Sequence, residues 1–263
     1  MRIAAAMLAG TMACAGPAQG ATCTAASARH TTALVELYTS EGCDSCPPAD
    51  RWMSALAGRG FAPDKVVPIA LHVDYWDYIG WKDPYGKRQF SGRQRKMAAL
   101  ARSALVYTPQ VLLQGRDFRH WSTPAFAEEV ARINAQPARA RIALALDTGK
   151  AGMFGVEATA DLLGEPARGK PALYLAAYEN RLVSDVLAGE NRGKTLAHDY
   201  VVMEWAGPVE FGGRSRLVER RDIPLLPKAA SGNSGIAAFV QDRATGEVLQ
   251  ALMLPACPPA GAK

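Results

Sequence analysis

The segment Cys43-Asp44-Ser45-Cys46-Pro47 holds two thiols with two residues between them, after a turn and before a stretch of helical character. That placement has chemical meaning. A helix N-terminus offers partial positive charge and free N–H groups, which favour a thiolate on the first cysteine. The spacing lets both sulfurs meet on one turn, so a mixed disulfide formed at Cys43 can be resolved by Cys46. Cys43 is the candidate nucleophile and Cys46 the resolving thiol. A structural disulfide or half of a zinc site would use the same spacing. No second Cys-X-X-Cys or paired His completes a tetrahedral set, so no metal ligands are assigned.

Other residues join this pair. Thr108-Pro109 stands before the apolar run VLLQG. A cis X-Pro bond is a minority state, about 5–6% of such bonds, and needs a fold to hold it. The strand–Cys-X-X-Cys–helix order upstream and a glycine hairpin downstream resemble thioredoxin-like folds, where a cis-proline at this place faces the cysteines and presents a backbone edge to the partner. Pro109 is therefore expected to be cis. His72, Asp74 and Asp77 in HVDYWDYIGW lie at the end of a strand whose carboxyl edge should also carry the cysteine loop, with Trp76 among the aromatic residues that follow. Strand alternation puts His72 and Asp74 on one side. They form either a proton relay, a pair of added metal ligands, or polar groups under an aromatic lid containing Trp76. Glu41 and Asp44 flank Cys43 with negative charge and read as solvated loop residues, although carboxylates there would raise the thiol pKa. His198-Asp199 face opposite sides of a strand and make a poor dyad.

The elements that must position these groups alternate between strand and helix over residues 31–136. Thr32–Thr39 is a strand, the segment from Cys43 to about Gly58 a helix with Pro47 and Pro48 in its first turn, and Lys65–Tyr75 a second strand, parallel to the first. Gly92–Ser103 is a basic helix with a Met97, Leu100 face. Tyr107–Gly115 runs into a strand, Gly115-Arg116-Asp117 turns the chain into Phe118–Trp121, and Thr123-Pro124 opens a helix to about Ile133. Residues 139–256 change character. Arg141–Leu146, Gly155–Leu162, Ala172–Glu179, Thr195–Trp205, Ser215–Arg220 and a hairpin around Asp242–Gly246 all pattern as strands, which predicts a β-sandwich. The fold class expected is an α/β thioredoxin-like domain followed by an all-β, sandwich-like domain.

Arg2 followed by the apolar run Ile3–Ala15 and a small-residue stretch ending at Gly20 predicts a signal peptide over residues 1–20. A lipoprotein signal at Cys14 fits poorly, because Thr11 and Met12 precede it. The remaining cysteines are Cys23, Cys43, Cys46 and Cys257, which in an oxidising compartment suggest two pairs. The tight spacing of Cys43 and Cys46 pairs them, leaving Cys23 with Cys257 as a structural staple of the chain ends. Lys and Arg exceed Asp and Glu by 30 to 25 without a basic run, which suits a solvated surface rather than nucleic-acid binding. No later segment is apolar for long enough to cross a bilayer.

The stretches VELYTSEGCDSCPPADRWMSAL, HVDYWDYIGWKDPY, the RQR of the basic helix, VYTPQVLLQG and, later, GENRGKTLAHDYVV resemble a secreted bacterial thioredoxin-like family known only as domain of unknown function 1223. The resemblance implies a thioredoxin-like domain joined to a β-rich one and supplies no activity. Chemistry must come from the site. The expectation is a periplasmic or secreted thiol–disulfide oxidoreductase acting on protein thiols or disulfides, with no organic cofactor, since the dithiol itself carries two electrons. The rival readings are a soft-metal (copper) binding protein using the thiolates and His72, and an interaction module in which Cys43–Cys46 is only a structural bond.

Overall fold

The computed structural model describes residues 22–148, 152–164, 169–224 and 231–257. The expected signal peptide, with Cys14, lies outside the described residues. The N-terminal region is mixed α/β. It contains β1 (Thr22–Ala26), β2 (Ala33–Thr39), α1 (Pro47–Ser54), β3 (Val66–His72), α2 (Arg88–Leu100), β4 (Gln110–Leu113), β5 (Arg116–Asp117) and α3 (Ala125–Asn134). The region after it is built of strands: β6 (Ala140–Asp147), β7 (Met153–Leu162), β8 (Pro171–Glu179), β9 (Leu182–Asp185), β10 (Thr195–His198), β11 (Val201–Glu210), β12 (Arg216–Pro224), β13 (Ser234–Asp242) and β14 (Val248–Pro255).

β2 and β3 are near-continuous apolar runs buried on both faces, as parallel central strands are. They pair in parallel from Ala33 opposite Val66 to Thr39 opposite His72, while β4 lies antiparallel on the other side of β2. Alternation sends Ala33, Val35 and Leu37 to one face, where α1 and α3 cover them with Trp52, Met53 and Phe126. Leu34 and Tyr38 go to the other face, beneath Phe90 and Met97 of α2.

One sheet runs through both halves of the chain. Its order is β14-β13-β8-β11-β3-β2-β4-β5. The join is narrow: β11 lies parallel to β3 at Val201 and Ala70, with the Ala70 N–H donating to the Tyr200 carbonyl at 2.8 Å. A second sheet, β1-β6-β7-β12, packs its apolar face on the β8-β13-β14 end of the first. Ile142, Leu144, Phe154 and Val156 meet Leu175, Ile236 and Ala238 there.

Two local expectations are corrected. The Thr195–Trp205 run is not one strand: Tyr200, at φ 58°, breaks it into β10, which pairs only with β9, and β11 in the large sheet. The hairpin after β4 turns at Gln114-Gly115, with φ 51° and 75°, so Arg116 and Asp117 are already strand, paired with Leu113 and Leu112. A side chain at Gly115 is also excluded by space, since a Cβ there would lie 2.1 Å from the Gly246 carbonyl oxygen.

Two devices hold this arrangement together. Arg93 of α2 is one-tenth exposed and donates to Glu36 of β2, itself fully buried, at 2.6 and 2.9 Å, and to Gln241 of β13 at 3.1 Å. Its guanidinium stands 5.0–5.3 Å from the ring centres of Tyr174, Trp205 and Phe239. The other device is covalent. Cys23 of β1 and Cys257, just after β14, form a disulfide with Cα atoms 5.8 Å apart across a sequence separation of 234. Closing so long a loop stabilises by up to about 5 kcal/mol in the chain-entropy view. Cys23→Ser with Cys257→Ser is expected to lower the free energy of unfolding by about 2–5 kcal/mol in a urea titration. A loss below about 0.5 kcal/mol would show that β1–β6 pairing alone holds the N-terminus.

Candidate active site

β2 ends at Thr39, and the chain turns tightly before α1. The Cys43 N–H donates to the Ser40 carbonyl at 3.2 Å and the Gly42 N–H to the Ser40 hydroxyl at 3.1 Å. Cys46 is the N-cap of α1, its carbonyl accepting the N–H groups of Ala49 and Asp50 at 2.9 and 3.2 Å. Pro47 and Pro48 fill positions where a missing N–H costs nothing. Cys43 and Cys46 are joined in a disulfide with Cα atoms 5.5 Å apart, and both residues have 0% exposure.

The Thr108–Pro109 bond is cis. Trp76 connects this bond to the cysteine turn: its indole N–H donates to the Thr108 hydroxyl at 2.7 Å, and a Cβ on Gly42 would lie 3.3 Å from the Trp76 Cβ. His72 and Asp74 are not brought together. His72 turns inward to Asp83, whereas Asp74 bonds the Ser91 hydroxyl on α2.

Behind the disulfide lies a buried polar floor. His72 Nδ1 meets Asp83 Oδ2 at 2.8 Å, and that carboxylate also accepts the N–H groups of Glu41 and Tyr85 at 2.9 Å each. Glu41, fully buried, accepts the Trp81 indole N–H at 2.8 Å and lies 3.2 Å from His198 Nε2. It is thus no solvated loop residue, and the expectation fails because Trp81 and His198 close over it. Asp44 alone of the two flanking acids faces water. The other ring nitrogen of His198 lies 4.0 Å from Asp50 on α1. The His72 and His198 rings meet edge-on at 4.9 Å.

Burial opposes a charged His72, but the Asp83 charge and hydrogen bond, with Asp50 and Glu41 behind them, outweigh it and raise the imidazole above its ordinary 6.5. Burial pushes Asp83 up, yet the His72 charge and hydrogen bond carry it below its ordinary 3.8. The signs set a window. A raised His72 stabilises fully below pH 6.5 and loses this as pH rises through its folded value; a lowered Asp83 stabilises above pH 3.8 and loses this as pH falls through its own. The stability difference between the native protein and His72→Gln is therefore expected to be largest near pH 5.5 and to shrink above neutrality. Chemical denaturation at three pH values checks it, and a difference growing with pH would contradict the assignment.

The roof comes from the β-rich region. The loop between β9 and β10 lays Asn191, which is fully buried, over the cysteine turn, its amide donating to the carbonyls of Glu41 and Cys43 at 2.8 Å each. Lys194 donates to the Asn191 side-chain oxygen at 2.9 Å, and Glu190 accepts the Asp44 N–H at 3.0 Å. Gly189, at φ 75°, passes so close to Ile79 that a Cβ would sit 3.0 Å from its Cδ1. Asp50, Asp83 and Asn191 are the site residues sequence reasoning missed, and His198 reads there only as half of a dyad with Asp199. The GENRGKTLAH stretch carrying two of them was the available signal. Among the described residues, no three His, Cys, Asp or Glu side chains converge in a metal-holding geometry, and no helix is long and apolar enough to cross a membrane.

A family model described as a protein of unknown function, DUF1223, matches residues 34–241. Comparison with curated proteins finds no match. Among solved structures, a crystal structure of an Agrobacterium tumefaciens protein aligns at 22% identity with a TM-score of 0.59, covering 87% of this chain and 96% of that one. HBP35 of Porphyromonas gingivalis aligns at 11% identity with a TM-score of 0.65, covering 90% of this chain and 79% of its own. Both likenesses are of fold.

Proposed function

Since the chain belongs to the DUF1223 family, whose description carries no activity, we propose from its site that it is a thiol–disulfide oxidoreductase of an oxidising, extracytoplasmic compartment, built on a thioredoxin-like unit with a β-sandwich-like partner. The observation that carries this reading is the Cys43–Cys46 disulfide at the start of α1, linked through Trp76 to the cis bond at Pro109. In the reductive direction a partner thiolate attacks Cys43, the sulfur–sulfur bond breaks, and Cys46 leaves with the electron pair. The partner's second thiolate then closes on its own first sulfur and expels Cys43, leaving the partner oxidised and both cysteines reduced. In the opposite direction reduced Cys43 opens a partner disulfide and Cys46 resolves the mixed disulfide, restoring the Cys43–Cys46 bond. Pro109 presents the backbone edge on which an extended segment of a partner protein docks. Trp76 and the Asn191 loop form the cover that must part to admit it.

The cover favours a second reading. With both cysteines at 0% exposure, the bond could be purely structural, serving an interaction module. Equilibration in glutathione buffers, with thiols tagged and Cys43 and Cys46 read by mass, separates the two. A potential between about −120 and −270 mV is expected, the range of dedicated exchange proteins. One below about −300 mV, where structural disulfides lie, would overturn the oxidoreductase reading.

A further inference from the structure

Two buried imidazole nitrogens in the polar floor have no hydrogen-bond partner: His72 Nε2 and His198 Nδ1. Unpaired buried polar atoms are costly and call for a reason. The His198 case can be worked out from its neighbours. A carboxylate only accepts, so the 3.2 Å contact with Glu41 puts a proton on His198 Nε2. In a neutral ring Nδ1 is then a bare acceptor, and it faces the Asp50 carboxyl at 4.0 Å. His198 is 2% and Asp50 7% exposed. Two acceptors facing each other out of water repel unless one of them carries a proton. A proton on either the ring or the carboxyl removes that repulsion.

Asp50 is also the buried acid nearest in the helix to the redox bond. It lies four residues after Cys46, which already has helical dihedrals, and its N–H closes the helical bond to the Cys46 carbonyl at 3.2 Å. Residues four apart share a helix face. Burial raises the Asp50 carboxyl, against the opposing charges of His198 and His72 and the Thr39 hydroxyl. Glu41 from the cysteine turn, Asp83 and Tyr85 from the segment after β3, His72 from β3 and Thr39 from β2 complete the groups around the pair.

We propose, on the oxidoreductase reading above, that the proton shared by Asp50 and His198 belongs to the redox couple, and that His198, supplied by the β-rich region, is the positioning residue that tunes it. When a dithiol reductant attacks Cys43 through one thiolate, Cys46 leaves as a thiolate and takes the proton from the Asp50 carboxyl, which becomes a carboxylate beside His198. The reductant's second thiolate then closes on its own first sulfur, expelling Cys43 with the electron pair. The dithiol is oxidised by two electrons and the protein disulfide reduced by two. Oxidation returns the proton to Asp50.

The test is the midpoint potential of Cys43–Cys46 in dithiothreitol buffers from pH 5 to 9, for the full protein, Asp50→Asn and His198→Gln. The native curve is expected to break in slope where Asp50 titrates, and Asp50→Asn to lose that break. His198→Gln removes the neighbour that holds the Asp50 carboxyl down, so the break should move to higher pH. A purely structural role for His198 would shift the whole curve in parallel. Parallel or superimposable curves for folded His198→Gln, or an Asp50→Asn curve that keeps the break, would overturn the proposal and leave the oxidoreductase reading standing. A disulfide that no dithiothreitol ratio opens would overturn both. Should His198→Gln fail to fold, the Asp50→Asn comparison decides alone.

Discussion

Arg93→Met is expected to cost about 3–5 kcal/mol of stability, because it strands the buried Glu36 carboxylate in the interior against the large sheet. Glu36 has no exposure, and its partners are Arg93 and the Tyr38 hydroxyl, which donates to it at 2.9 Å. The methionine keeps much of the aliphatic volume between Tyr174, Trp205 and Phe239 but loses the cation–π contacts, a further part of the cost. Restoring charge balance should restore stability. The double variant Arg93→Met with Glu36→Leu is expected to recover most of the loss, since a buried ion pair can be replaced by apolar groups at little cost whereas half of one cannot be kept. Urea titrations of the four proteins close the cycle. A single variant within about 1 kcal/mol of the native protein would show that the Arg93–Glu36 pair is not what holds this part of the core.

Asn191→Ala should speed reduction of Cys43–Cys46 by dithiothreitol about tenfold or more. Both cysteines have no exposure, and the β9–β10 loop is tied to the cysteine turn through Asn191, so on the proposed reading lifting of that loop admits the reductant. Removing the amide leaves the Glu41 and Cys43 carbonyls without its two hydrogen bonds in the closed state, at about 1–3 kcal/mol for such buried groups. With 1.4 kcal/mol per factor of ten, the open population rises by roughly that factor or more. Leu187→Ser is the control, because Leu187 sits in the same loop but is 73% exposed. Equal rates for Asn191→Ala and the native protein would place the barrier elsewhere, with Trp76 as the next element to vary.

The parts of this site that could be read in the sequence are those carried by short stretches of chain. Cys43 and Cys46 announce themselves by spacing, Pro47 by its fit to a first helical turn, and Pro109 by the apolar run it precedes. Glu41 reads as exposed because its immediate neighbours are turn residues. Its burial comes from Trp81 and His198, the latter 157 positions away. Arg93 reads as one more cation on a basic helix, and only the arrival of β8, β11 and β13 on the same sheet face turns it into a core residue. His198 and Asp199 make no dyad, but Asp199 lies in the bend after β10, where it accepts the Arg181 N–H at 2.9 Å, so the reading of both as neighbours on one strand does not hold. Alternation says which residue turns inward without saying what it will meet. The sheet that runs through both halves was hidden for a similar reason. An apolar strand carries no mark of which neighbour it will pair with, and β11 meets β3 through one residue pair.

The bond between Cys23 and Cys257 also orders the protein's maturation. Synthesis runs from the N-terminus, so Cys23, Cys43 and Cys46 are all made before Cys257. Cys43 and Cys46, three positions apart, can close as soon as α1 forms. Cys23 has to wait for a partner 234 positions further on, exposed meanwhile to mispairing with either of them. The five-residue ladder of β1 with β6, which sets Cys23 opposite Leu146, becomes available midway and can park this thiol against the second sheet, away from the α1 turn. Closure of the Cys23–Cys257 bond thus comes after synthesis of every strand between its two ends.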